Sequence, residues 1–383
     1  MVKNMTEKLY YSDAYIRDFD ATVISSKKVD GGFDTVLDKT AFFPEEGGQS
    51  SDRGKIGDSS VLHVSEISGV IHHLTDREVT GNIHCSLDFE ERFDKMQCHT
   101  AEHIVCGIIH TLYGYENVGF HLGEDEVTFD ISSPLCREEL DRVEQLANEA
   151  VFRNLPVTAY FPTADEIPSL SYRSKLDITE NLRIVNIGDV DSCACCAPHV
   201  AYTGEIGLIK LVDFFKHRGG VRITLVAGRR ALVDYSAKCV STKRISAMLS
   251  SPESDIADAL TAYMKETDEL RYRLTLARRE LTDKIADSIP HTDKSTVLFL
   301  DGFSFEELRD IANSATVKVG DMLVLLSGTD GSYKYVISSP TRDMGTDIRT
   351  INSALNGKGG GRGRMVQGTF SATAAAIRDY FVK

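Results

Sequence analysis

Two short stretches carry the residue types that bind metals. "HTAEH" places His99 and His103 four positions apart, and on a helix that spacing brings both imidazoles to one face on neighbouring turns, as two ligands of one zinc require. "SCACCAPHV", residues 192–200, gathers Cys193, Cys195, Cys196 and His199 around Pro198. Its cysteines stand too close together for mutual disulfides. Cys195 and His199 are again four apart, and Pro198 among small residues favours a rigid loop over a helix interior. A self-contained knuckle of Cys193, Cys195 or Cys196 with His199 would strain a tetrahedron through adjacent ligands. Two halves that complete each other fit better: His99 and His103 from a helix, Cys195 and His199 from a loop. That nitrogen-rich set with one thiolate suits a single tetrahedral Zn2+ per chain.

His99, Glu102 and His103 also satisfy H-x-x-E-H, in which the glutamate beside a zinc-binding histidine is a general base. Glu102 is therefore a candidate catalytic residue, and a zinc peptidase is an alternative function; the plainer reading is a solvated glutamate on the exposed sector of a helix. Far downstream, "GKGGGRGRMVQG" sets glycines 359–361 beside Lys358, Arg362 and Arg364. No G-K-[ST] follows, so this is not a nucleotide P-loop. The glycines read either as a flexible loop or as backbone that can approach a phosphate chain closely.

The elements that must position these residues follow from periodicity. Short alternating runs such as "FDTVLDKTAFFP", "VLHVSEI" and "GVIHHLT", punctuated by "DGG" and "EEGGQSSDRG", predict a small all-β domain closed as a barrel over residues 1–90. From Arg92 the period becomes helical through the His pair and ends at Gly114, a C-cap residue. A strand pair, "NVGFHLG" and "EVTFDIS", then the helix "REELDRVEQLANEAVFRN" and further strands predict a two-layer α+β domain over 91–240. Residues 254–287 lack Gly and Pro and carry apolar residues at helical intervals, which predicts a long exposed helix or coiled-coil spacer within 241–290. Strands and helices in 291–383 predict a small C-terminal α/β domain. The fold class expected is thus α+β and multidomain.

Composition limits the function classes. A net charge of −14 argues against a protein that coats nucleic acid through its overall field. The segment 342–383 nonetheless has seven basic against three acidic residues, a local docking face for phosphate. With no signal-peptide pattern and no run of eighteen apolar residues, the expectation is a cytoplasmic protein without membrane contact. Cys85, Cys98, Cys106, Cys136 and Cys239 are read as small buried apolar residues in a reducing compartment.

"QCHTAEHIVCGIIH", followed far downstream by "CCAPHVAYTGEIGLIKL", resembles the editing domain of alanyl-tRNA synthetases and of the free-standing AlaX proteins. "AFFPEEGGQSSDRG" resembles the translation-factor-like N-terminal β-barrel of that family, and "GKGGGRGRMVQG" the glycine-rich C-terminal domain it shares with DHH phosphoesterases. The three groups occur in family order over nearly the whole chain, with no synthetase active-site region before the barrel, as in the long form of AlaX. The resemblance implies a hydrolase that acts in trans on tRNA(Ala) mischarged with serine or glycine, with zinc held by His99, His103, Cys195 and His199. It makes His121 a pocket residue and, with Glu102, a candidate catalytic residue that contacts substrate or a water, and Lys358, Arg362 and Arg364 contacts to the tRNA body; homodimers through the helical spacer and C-terminal domain would follow. A tRNA-binding module with purely structural zinc is a second alternative. Relatives commonly read C-G-G-T-H where this chain has Cys195-Cys196-Ala197-Pro198-His199, so Pro198 removes a hydroxyl and a backbone donor beside the site.

Overall fold

The alternating runs near the N-terminus fold into strands. Asp18–Val29, Gly32–Leu37, Val70–Thr75, Ser59–Ile67, Gly54–Ile56 and Asn82–Leu87 pair in that order, and the last pairs back to the first. This closed antiparallel ring surrounds Phe19, Leu37, Phe42, Ile56, Val64, Ile71 and Cys85. A computed structural model describes the chain over residues 5–123, 127–174 and 182–382 and divides it into two units, 1–244 and 245–383.

Helix α1, Phe89–Tyr113, starts where the Asp88 carboxylate accepts from Glu91 N, with Glu90 and Glu91 favourably placed in its first turn. It stops at Gly114, whose left-handed conformation lets its N–H reach the His110 carbonyl. The helix is buried on nearly every side. Its residues Ile104, Val105 and Ile109 share one core with Leu140, Val143 and Ala147 of α2 (Arg137–Phe152) and with Phe129, Ile223 and Leu225 of a four-stranded sheet. That sheet runs in the order Ile209–His217, Gly220–Ala227, Val127–Ile131, Asn117–Leu122. A three-stranded sheet, Val157–Tyr160, Ile184–Ile187 and Asp191–Ala194, carries the metal-loop cysteines out of its last strand. Gly107 of α1 lets that strand approach: a Cβ there would lie 2.7 Å from Asp191 Cβ and 2.8 Å from Val190 O.

The loop 41–54 is fastened to α1 by buried charge. Arg92 and Asp52 are almost fully excluded from solvent and form a direct ion pair. The Arg92 guanidinium also donates to Ala41 O at 2.6 Å and Ala14 O at 3.2 Å, while Lys95 donates to Ser51 O at 2.7 Å. Asp52 in turn accepts from Phe43 N at 2.6 Å. Paired and fully hydrogen-bonded, such a buried pair fixes the geometry of the segment it holds.

Helix α3, Gly228–Leu249, begins before the helical spacer expected over 241–290 and runs into it. In the second unit, α4 (Ile256–Ser288) is the expected long helix. Five strands follow in the order Thr296–Phe299, Leu323–Thr329, Ser332–Ser338, Met365–Phe370, Gly357–Arg362, with α5 (Phe305–Ala315), α6 (Met344–Ala354) and α7 (Ala374–Phe381) packed on the sheet. The molecule is therefore a mixed α+β, multidomain protein with several sheets.

Two local readings need correcting. The glycine run is a strand at the sheet edge rather than a loop. A Cβ on Gly359 would fall 2.4 Å from Gln367 O and 2.5 Å from the Tyr335 hydroxyl, so close packing requires the glycine. Cys136 is exposed and precedes α2, its N–H bound by the Glu139 carboxylate at 2.8 Å, and Cys239 is half-buried; Cys85, Cys98 and Cys106 are buried as expected.

Candidate metal centre

The structure brings His99, His103, Cys195 and His199 together: one nitrogen from each histidine and the sulfur all lie within 4.8 Å of one another. The three imidazole centroids form a near-equilateral triangle of 5.2, 4.9 and 4.8 Å. His99 Nε2 is 3.7 Å and His199 Nε2 3.3 Å from Cys195 Sγ. Bond lengths of about 2.3 Å for Zn–S and 2.0–2.1 Å for Zn–N, at a tetrahedral angle, would separate the ligand atoms by about 3.5 Å. The donor set thus has the spacing of a tetrahedral site, and the residues fit a metal ion.

The second nitrogens of the imidazoles are equally informative. His99 Nδ1 faces Gln49 Oε1 at 2.8 Å, and His103 Nδ1 faces Asp191 Oδ2 at 3.2 Å. His199 Nδ1 faces Thr100 Oγ1 at 3.0 Å, and that hydroxyl spends its own proton on Met96 O at 2.7 Å. Each partner therefore accepts, each Nδ1 carries the proton, and each Nε2 lone pair is left for a ligand. Gln49 arrives on the loop held by Arg92, Asp191 on the strand admitted by Gly107. Asp191 is gripped by Arg173 at 2.7 Å through both Nε and Nη2.

Electrostatics follow from this packing. Burial would raise the Cys195 thiol, but His99, His199 and His103 outweigh it and hold it well below the usual thiol range. The Ala197 N–H, 3.4 Å away, also donates to that sulfur. Burial pushes His199 down to about 3, which keeps its imidazole neutral, as ligation requires. Burial would likewise lower His103, yet Cys193, Cys195 and Asp191 raise it well above its ordinary value; metal binding at such a site releases a proton. For Asp191, burial raises, while His103 and Arg173 lower it further, and the net result lies below the usual carboxylate range.

The cluster opens into a cavity of about 660 Å³ lined by Lys8, Tyr11, Glu45, Glu46, Glu66, Glu102, Glu116, Asn117, Phe120, Arg173, Arg183 and the metal loop, among others. Glu102 is not on a solvated sector: it is buried in the cavity wall, where Oε1 accepts from Asn117 Nδ2 and from Cys106 Sγ at 3.2 Å. Cys193 groups with His103 and Asp191 rather than with the four, and Cys196 packs against Tyr10 and Phe43, its thiol raised by burial, by Cys195 and by Glu46. Pro198 is buried in the turn whose carbonyls at Cys195 and Ala197 accept from Arg183 Nη1 at 3.0 and 2.8 Å.

His121 does not join the site. It is exposed on the strand Asn117–Leu122 and lines no part of the cavity, because side chains alternate along a strand; its neighbour Phe120 turns inward and lies 4.7 Å from the His99 ring. Lys358 and Arg362 project from one face of the edge strand Gly357–Arg362, and Arg364 from the turn after it, all exposed. Sequence reasoning missed Gln49, Asp191, Thr100, Asn117 and Arg183. Gln49 lay inside a quoted glycine-rich motif and Thr100 inside "HTAEH", but neither had a visible partner.

Residues 182–249 match the family described as "Threonyl and Alanyl tRNA synthetase second additional domain". The alanyl-tRNA editing protein AlaX-L of Pyrococcus horikoshii is 24% identical over 98% of this chain and 97% of its own length. The alanyl-tRNA editing protein Aarsd1 of Rattus norvegicus is 26% identical over 96% of each chain. An alanine–tRNA ligase of Methanopyrus kandleri is 30% identical over 95% of this chain but only 42% of the ligase.

Proposed function

We propose that this chain, which is related to the free-standing long-form alanyl-tRNA editing proteins and to the corresponding parts of alanyl-tRNA synthetases, is a zinc-dependent deacylase that hydrolyses Ser-tRNA(Ala), Gly-tRNA(Ala) or both in trans. The observation that carries the reading is the convergence of three Nε2 atoms and one thiolate at the floor of a cavity large enough for an aminoacyl ester. The need for such an activity is physical: an alanine pocket cannot strongly reject the smaller glycine, or serine with one added hydroxyl, so a second hydrolytic site is required. Zinc bound there would polarise the ester carbonyl or lower the pKa of a water molecule.

The chain's own residues supply the rest. Gln49, Asp191 and Thr100 hold the three imidazoles in one tautomer, and Arg183 with the Ala197 N–H holds the Cys195 loop. Asn117 and Cys106 bind Glu102 Oε1, and Oε2, which has no hydrogen bond among the described residues, would take a proton from attacking water. Lys358, Arg362 and Arg364 contact the tRNA body, and homodimerisation through the second unit and a cytoplasmic location belong to the same proposal. Among the described residues no helix is long and apolar enough to cross a membrane.

Purified protein incubated with labelled Ser-tRNA(Ala), Gly-tRNA(Ala) and Ala-tRNA(Ala) should release serine or glycine faster than alanine, and chelation should abolish release. Glu102→Gln should slow it about 10²–10⁴-fold with metal content retained. No metal-dependent release at enzyme in excess over tRNA refutes the deacylase and leaves a binding module. Cleavage of peptides lost in Glu102→Gln, without deacylation in the parent, would instead support a peptidase.

A further inference from the structure

The cavity has two chemically different sectors. Glu102 and Glu116, with Asn117 between them in the lining, make one part acidic, a surface that suits an ammonium group and repels phosphate; Glu46 lies instead by Tyr11 and Cys196. Opposite in character is a cluster of cations and rings. The Arg183 guanidinium lies 5.3 Å from the centroid of Tyr11 and Lys8 Nζ 5.5 Å from it. Phe161 meets Tyr11 edge-on at 5.3 Å and is half exposed.

The two cations are not equivalent. Lys8 is neutralised by Glu66, with both carboxylate oxygens at 2.8 Å. Arg183 is buried and bound to two carbonyl oxygens, and among the described residues the charges that act on it most are the thiols of Cys195 and Cys196 and the hydroxyls of Tyr10 and Tyr11. A guanidinium with no ion pair among the described residues, beside an exposed aromatic ring, has the groups that recognise a nucleotide: the ring can stack on a base and the guanidinium can take a phosphate. The same Arg183 holds the carbonyl of Cys195, so this sector adjoins the metal loop.

We infer that Phe161, Tyr11 and Arg183 form a subsite for the 3′-terminal nucleotide of the RNA, with its base against Phe161 and its phosphate on Arg183. For the identity of its ligand the inference rests on the deacylase reading. An aminoacyl-RNA end has an ammonium at one extremity and a base with phosphate at the other, joined by the ester; Glu102 and Arg183 both line the cavity that holds the metal loop, and Phe161 adjoins it through Tyr11. Tyr11 braces Phe161 by its edge while its own face is covered by cations, so Phe161 supplies the open stacking surface.

The test uses the full chain as purified and the trinucleotide CCA with 2-aminopurine in place of the terminal adenine. The protein has no tryptophan, which leaves the probe's fluorescence free of that background. Stacking quenches the probe, so titration with the parent protein should quench it. Phe161→Ala should bind on the order of 5- to 150-fold more weakly, the range for loss of one stacked base, whereas Phe161→Tyr should retain the quench. Arg183→Met should lower the salt dependence of binding by about one phosphate contact, with metal content measured in parallel. A 2-aminopurine mononucleotide that binds as tightly as the trinucleotide would assign the subsite to free nucleotides and overturn the RNA-end assignment. Unchanged quench and affinity in Phe161→Ala overturn the subsite altogether. Serine release by the parent alongside that result would leave the deacylase standing, while quenching without any serine release would remove the deacylase and leave the subsite.

Discussion

Asp52→Asn should unfold the N-terminal unit far more easily than a change of one atom suggests. The carboxylate accepts from Arg92 Nε, from Arg92 Nη2 and from Phe43 N, and the two side chains are 0% and 1% exposed. An amide keeps one acceptor oxygen and turns an NH2 group toward donors. It also leaves a buried guanidinium without a counter-charge, which costs about 3–5 kcal/mol. For a unit of this size each kcal/mol moves the melting temperature by about 2–4 °C, so the shift should be about 6–20 °C downward. The double variant Asp52→Leu/Arg92→Met removes both charges and should recover part of the loss. Recovery is incomplete because Ala14 O, Ala41 O and Phe43 N all lose their partners. Urea unfolding followed by far-UV circular dichroism, with single and double variants closing a cycle, measures the coupling. A coupling energy under about 1 kcal/mol would refute the claim that this pair fastens the loop.

Two further outcomes follow from named contacts. Asp191→Asn, which leaves one acceptor oxygen to serve both His103 and Arg173, and Gln49→Leu, which removes the acceptor facing His99, should each weaken metal binding by about 10–100-fold; competition with a chromophoric chelator measures it, and neither change touches a ligand. His73 is fully buried between Thr40 Oγ1 at 2.9 Å and Thr35 O at 3.0 Å, and burial lowers its pKa to about 4, with His72 and Asp34 the charged groups acting on it among the described residues. The unfolded chain takes up this proton near its usual value of about 6.5, so stability should fall by about 3 kcal/mol as pH drops from about 6.5 to 4 and stay level below that. Urea midpoints across this window should flatten in His73→Gln; an unchanged slope would exclude His73 as the source.

The four-residue cluster was legible because its spacing is set by local geometry: two histidines one helical turn apart, and a cysteine and histidine bracketing a proline. What orients them was not legible. Gln49 and Asp191 lie 50 and 88 residues from their histidines, and no periodicity links such pairs. The resemblance singled out His121, but strand alternation turns Phe120 toward the cluster instead. The strands of the N-terminal ring, the helix through the His pair with its stop at Gly114, and the long helix Ile256–Ser288 could be read from pattern alone. The glycine strand could not, because its glycines answer to a tyrosine hydroxyl beneath them rather than to a turn. Helix α3, rich in exposed apolar residues such as Leu232, Val240 and Met248, lacks the clean two-faced pattern that marks an amphipathic helix.

The split origin of the metal ligands also sets a timetable for biosynthesis. Cys195 follows His99 by 96 residues, which at roughly 5–20 residues per second is about 5–20 s of translation. During that interval the strands of the ring and the residues of α1 have been made, with Gln49 available to His99, while only two of the four candidate ligands exist and α1 still lacks the strands Ile209–His217 and Gly220–Ala227 that cover it. A metal held by all four residues could therefore be captured only late in synthesis, once the loop that follows the Asp191 strand has been made, so it would close a site across segments made at different times.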